Sequence, residues 1–219
     1  MGRYATETGG GDFQHAPVGT HVARCIRLID LGTQQGEWMG KPIFKNQVLV
    51  MWELCNEMME GEEKKPFIVS KFYTNSLSEK ANLRKDLEQW RSRPFTHPEL
   101  LKFDLQSILG AACLLSVVEK GGGKEGVKVS GVMKLPKGQE APAAKNEAFV
   151  FWLDEFDATR FESLSDGLKK IIQKSPEYGE ATGEKPVARK PGRFDDMPDD
   201  GYGDDISRAK AREEEDVPF

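Results

Sequence analysis

The sequence predicts a mainly β fold: a five-stranded OB-fold barrel with a helical insert between strands 3 and 4, followed by a disordered acidic tail. Three observations lead there. Strand-patterned runs fill much of residues 19–73. A helical period then appears at Leu83, Leu87 and Trp90, the i, i+4, i+7 spacing of one apolar helix face. Further strand-patterned runs follow between Leu114 and Leu135.

The first eighteen residues are rich in Gly, Thr and polar groups and read as a flexible arm (1–18). From Gly19 to Leu31 the run GTHVARCIRLIDL is dense in β-branched and apolar residues, and Gly32 is expected to end it. Phe44–Leu54 alternates cleanly, with Val48, Val50, Trp52 and Leu54 on one face. TQQGEWMGKP joins the two runs and reads as a long hairpin loop. Pro66–Tyr73 is the third strand. Ser76 or Ser78 can cap the helix that follows, and Pro94 stops it. Phe103–Gly110 predicts a short helix.

Leu114–Glu119 and Val127–Leu135 are two strands joined by KGGGKEG, and Ala148–Leu153 is a strand or its extension. The barrel domain is thus placed at 19–156. Phe161–Gln173 reads as one amphipathic helix packing on the barrel, within 157–176. Beyond it, residues 177–219 carry Pro, Gly and charge with little to bury, the composition of a disordered segment.

Charge divides along the chain. The whole carries −5, with a pI near 5.4. From Phe194 to Phe219 there are ten acids and three bases, hence −7. The other 193 residues hold 26 acids and 28 bases, hence +2. An acidic tail on a slightly basic body is a pattern of interaction tails.

Several function classes drop out. Ile108–Val118, interrupted by Ser116, is far shorter than the ~18 apolar residues of a membrane span. No basic stretch followed by an apolar run marks a signal peptide, so a cytoplasmic protein is expected. Cys25, Cys55 and Cys113 are odd in number and widely spaced, as buried free thiols are in a reducing compartment. His15, His21 and His97 lack metal-ligand spacing, and GGGKEG at Gly121 misses the phosphate-loop pattern. Asp154, Glu155 and Asp157 end a strand as solvated carboxylates rather than as a nuclease metal site. The expectation is a non-catalytic protein with no cofactor or metal.

What the body offers is aromatics interleaved with cations. Trp38 and Lys41 lie in the first connection, and Phe44 and Lys45 follow. Lys71 and Tyr73, two apart, share a face of the third strand. Arg27, Lys80, Arg84 and Lys134 extend the positive charge. Single-stranded nucleic acid is bound by this mixture, because bases stack on rings while cations track phosphates. The candidate single-stranded DNA surface is therefore Arg27, Trp38, Lys41, Phe44, Lys45, Lys71, Tyr73, Lys80, Arg84 and Lys134. Trp52 is assigned to the core.

The chain ends EEEDVPF, four acids and then an apolar tip. Glu215, Asp216, Val217, Pro218 and Phe219 present a ring and an α-carboxylate together, which a partner pocket with one basic residue can capture. This ending resembles the DDIPF-like termini of bacterial and phage single-stranded DNA-binding proteins, with Val217 where that pattern has Ile. HVARCIRLIDLGTQ, SLSEKANLRKDLEQWRSRPFT and FDLQSILGAACLLSVV are similar to a phage family of OB-fold single-stranded DNA-binding proteins, and together cover most of Gly19–Leu153.

The resemblance implies a cytosolic protein that coats single strands in replication, recombination and repair. If phage-encoded, it would act in the host cell cytoplasm. It would recruit replication and repair enzymes through its tip, with no membrane partner. The −7 tail is expected to compete with DNA for the body. A protein–protein adaptor on the same barrel and a strand-annealing recombination protein are the alternatives. Monomer and dimer are both open.

Overall fold

The computed structural model describes residues 14–61, 64–123 and 125–183. β1 (Gly19–Trp38) is the strand that organises them. It pairs antiparallel with β2 (Lys41–Met58) along almost its whole length. On its other edge it changes partner. Gly19–Arg24 run antiparallel to β4 (Ala112–Glu119), whereas Arg27–Ile29 run parallel to β6 (Phe149–Phe151). The change falls at a bulge between Cys25 and Arg27, where an extra residue re-aims the strand. With β3 (Pro66–Thr74) and β5 (Val127–Met133), the sheet order is β3-β2-β1-β4-β5, β6 lying off that path beside β1. The sheet is open: β3 and β5 approach each other, but no ladder joins them.

Helices cover the sheet. Between β3 and β4 in chain order come α1 (Asn82–Arg91), α2 (His97–Leu101) and a 3-10 turn at Leu105–Ile108. α1 lies against β5 and β3, and buries Leu83, Leu87 and Trp90 as their spacing predicts. These join Leu28, Val48, Val50, Trp52, Val69 and Tyr73 in one core. Trp90 also donates its indole N–H to the Ala112 carbonyl at 2.8 Å. Truncating Leu87 to Ala would cost about 2–5 kcal/mol.

The opposite face carries α3 (Ala158–Glu162), α4 (Asp166–Ile172) and α5 (Pro176–Thr182). Phe161, Leu164, Ile172 and Tyr178 pack there on Ile29, Leu31, Leu49 and Phe151. β1 and β2 are therefore covered on both faces over their middle, which is why burial along β1 does not alternate.

Five sequence expectations are corrected. Gly32 does not end the first strand; it takes φ 68° beside a second bulge, and β1 continues six residues to Trp38. The expected loop TQQGEWMGKP is mostly ladder. The single helix at Phe161–Gln173 is two, broken at Ser163–Ser165. Residues 177–182, expected to be disordered, lie in α5 (Pro176–Thr182), because Ser175 accepts the Tyr178 N–H and Tyr178 itself is buried. Among the described residues the strands number six, since Phe149–Phe151 pairs as a strand of its own. Of the N-terminal arm, Gln14–Val18 are described, and Ala16 is buried in the first core.

Candidate nucleic-acid interface

Four of the sequence-predicted residues come together at the far end of the β1–β2 hairpin. Trp38 pairs with Lys41, leaving Met39 and Gly40 as a two-residue turn. Both take positive φ, 49° and 74°, as a type I′ turn demands. Seven register pairs, from Gly32–Gln47 to Trp38–Lys41, build a finger beyond the first core. Its root is clamped. Gln34, itself buried, donates to the Leu31 and Ile171 carbonyls at 2.6 and 3.1 Å. The Thr33 N–H and hydroxyl both donate to the Glu177 carboxylate, at 2.8 and 2.5 Å. Burial alone would push Glu177 up, but the hydrogen bonds it accepts, those of Thr33 foremost and then its own backbone N–H and Asn46, hold the carboxyl below its ordinary range.

Register decides which side chains share a face. Opposed residues point the same way and successive pairs alternate. Trp38 and Lys41 therefore lie with Gly36, Ile43, Gln34 and Lys45, whereas Phe44 lies across the finger with Gln35, Glu37 and Pro42. Trp38 is 36% exposed, Phe44 63% and Met39 70%. Lys41 is exposed and Lys45 half-buried.

The alternation of β2 carries the Lys41–Lys45 face back to Met51. There Phe149, Arg27, Met51 and Ser70 are register neighbours across four strands. Arg27 lays its guanidinium 5.5 Å from the Phe149 ring centre, and its buried Nε has no hydrogen-bond partner. Met51 and Phe149 are half-buried against the second core and Ser70 is exposed, and the row's two flanks are covered by different means. On one side α3–α5 cover Ile29, Leu49 and Phe151. On the other, Arg24 donates to the Gly110, Ala141 and Pro142 carbonyls. Buried Glu53 accepts from the Lys145 and Asn146 N–H groups at 2.8 Å each, which straps residues 141–146 across the sheet. Sequence reasoning found Arg27 but missed Met51 and Phe149, which look like ordinary strand residues until the partners are known.

Lys71 and Tyr73 do share a face, as their spacing predicts, yet it is the inner one. Tyr73 is 2% exposed and donates its hydroxyl to Asp86 at 2.6 Å, while Lys71 pairs with the same carboxylate at 2.9 Å. The Tyr73 ring meets Trp52 edge-on at 6.5 Å. No face of Tyr73 is open to a base, so a stacking role for it is corrected: α1 covers that face and Asp86 supplies the polar partner. Burial, and then the Asp86 charge, push the Tyr73 hydroxyl well above 10.

Arg84 is also engaged, with Glu88 at 3.0 Å. Lys80, before α1, and Lys134, after β5, are exposed and belong to other parts of the surface from the finger. The tail residues Glu215, Asp216, Val217, Pro218 and Phe219 lie outside the described residues.

A cleft of about 920 Å³ opens beside α5 and the 3-10 turn. Asp30, Asp104, Asp154, Glu155, Glu177 and Glu180 line it with Phe103, Trp152 and Phe156, and among the described residues no lysine or arginine does. Asp30 is raised by burial, against the N–H donors of Gly32 and Leu153. Phosphates are repelled from this region. Asp157 instead caps α3, accepting the Thr159 and Arg160 N–H groups. Among the described residues, no group of three or more His, Cys, Asp or Glu is arranged to hold a metal ion. The three cysteines are free and buried, and burial pushes the Cys25 thiol up to about 12. No described helix is long and apolar enough to cross a membrane. No family model matches the chain, and no curated protein matches it.

Proposed function

We propose that this chain is a sequence-tolerant single-stranded DNA-binding protein of OB-fold type. The observation that carries the reading is the finger, where an exposed Trp38 shares one ladder face with Lys41 and Lys45; the half-buried row of Met51, Arg27 and Phe149 lies on the same side of β2, beyond the stretch at Gln47 and Leu49 that α3–α5 cover. An exposed ring beside two cations suits a single strand, whose bases are free to stack and whose phosphates are spaced along it. The strand order β3-β2-β1-β4-β5, with α1 spanning the gap between β3 and β5, supports the OB-fold reading. That scaffold binds oligonucleotides on its strand 2–3 face and adjoining loops.

In this account Trp38, Phe149 and Arg27 offer ring and guanidinium planes, and Lys41 and Lys45 hold phosphates. The protein coats replication, recombination and repair intermediates in the cytoplasm, without catalysis. The tail tip, Glu215–Phe219, recruits partner enzymes and, when no DNA is bound, competes for the basic body. Anisotropy of a labelled oligonucleotide, with unlabelled poly-pyrimidine as competitor, tests the reading. Saturable binding at moderate salt, displaced by competitor, is expected. Its absence would leave the second reading, an adaptor whose acid-lined cleft takes a basic partner segment.

A further inference from the structure

Trp38 and Phe44 stand on opposite faces of one rigid ribbon, and a single strand running along one face meets only one of them. The face of Phe44 is also poorly suited to a bound strand. It carries Glu37, and it leads back through Asn46 into the acid-lined cleft. Yet Phe44 is 63% exposed, and three of the seven exposed large apolar residues among those described fall between Trp38 and Phe44. An aromatic held in water on the side that repels phosphate is not explained by coating single strands.

We propose that the β1–β2 finger is a wedge for junctions between single-stranded and duplex DNA. Trp38 stacks on a base of the retained strand, with Lys41 and Lys45 on its phosphates. Met39, at the apex, abuts the last base pair. Phe44 holds apart the first unpaired base of the other strand, which the carboxylates behind it then turn away. Apolar side chains inserted at a base step unstack it in this manner.

A wedge must be stiff and fixed in direction, and both conditions are met. The two-residue turn is closed by positive φ at Met39 and Gly40. The finger reaches about 14 Å from Gln34 to Trp38 at the usual strand rise. Its root is tied to α4 by Gln34 and to α5 by the Thr33–Glu177 pair.

This inference rests on the single-strand reading, and the test separates the two. A forked duplex carrying 2-aminopurine in its first base pair is titrated with the full chain, its Phe44→Ala and Phe44→Trp variants, and with circular dichroism as a check of folding. Affinity for a plain single strand is measured alongside. The parent is expected to raise the fluorescence of the fork. Phe44→Ala should lose about two-thirds or more of that rise while its single-strand affinity stays within about twofold, and Phe44→Trp should restore it.

Single-strand binding without opening of the fork would overturn the wedge alone, and absence of both would overturn the wedge and the reading beneath it. Equal loss of single-strand and fork binding in Phe44→Ala would make Phe44 an ordinary stacking residue and defeat the proposal. So would a self-associated protein that Phe44→Ala dissociates, since the finger would then be an interface between copies.

Discussion

Tyr73 donates its hydroxyl to Asp86 Oδ2 across 2.6 Å, and Lys71 Nζ reaches the same oxygen at 2.9 Å. One carboxylate on α1 thus satisfies two polar groups on β3, and the helix is held over the gap between β3 and β5 by charge as well as by Leu83, Leu87 and Trp90. Asp86→Ala strands a nearly buried ammonium and a fully buried hydroxyl. The expected loss is about 3–5 kcal/mol in urea unfolding. Tyr73→Phe removes one hydrogen bond and should cost only about 1–2 kcal/mol, with single-strand affinity unchanged.

The same pair predicts an alkaline limb. The folded protein holds the Tyr73 proton well above 10, whereas the unfolded chain releases it near 10. A raised group stabilises the fold fully below its unfolded value, and that contribution is lost as pH climbs past 10. Stability measured from pH 8 to 11 should fall more steeply in the parent than in Tyr73→Phe. Parallel curves would show that Tyr73 is not the group responsible.

Glu177 predicts the opposite limb. Thr33 holds its carboxyl below the ordinary range, so its contribution is present above the unfolded value of about 4.5 and fades as pH drops through the folded one. Glu177→Gln should flatten the acid side of the stability profile. It should also speed hydrogen exchange at the Thr33 amide at neutral pH, because the finger root loses its clamp. An unchanged exchange rate there would mean that Gln34 alone fixes the finger.

The acid-lined cleft should weaken DNA binding from a distance. Neutralising Asp154 and Glu155, both exposed, as Asn and Gln should tighten single-strand affinity by about two- to fivefold at 50 mM salt, with the gain fading as the Debye length shrinks toward about 3 Å at 1 M. Identical affinities at 50 mM would mean that bound strands never approach the cleft.

Much of the fold was legible because its strands alternate and α1 has a clear apolar period. The finger was not. Gln34, Gln35, Gly36 and Glu37 show no hydrophobic alternation, because the two positions that turn inward are Gln34 and Gly36, and backbone bonds and a type I′ turn hold the ladder. Once the turn is placed at Met39–Gly40, the parity that separates Trp38 from Phe44 follows at once.

The parallel pairing of Arg27 with Phe149 joins residues 122 positions apart, and no local pattern encodes it. For Tyr73 the period of two was right and the direction was not. An Asp between Leu83 and Leu87 looks like a solvent-facing helix residue, and only the packed helix shows it turned inward to meet β3.

The central claim is that Trp38 supplies a stacking platform for single strands. Its direct test is a titration of Trp38→Ala and the parent against single-stranded and duplex DNA, repeated across salt concentrations. Loss of one stacked base should weaken single-strand binding by roughly 1–3 kcal/mol, about 5- to 150-fold, while the salt dependence, set by phosphate contacts, stays the same. Duplex binding should remain weak in both. If Trp38→Ala binds single strands as tightly as the parent, the finger is not the platform and the account is wrong at its centre.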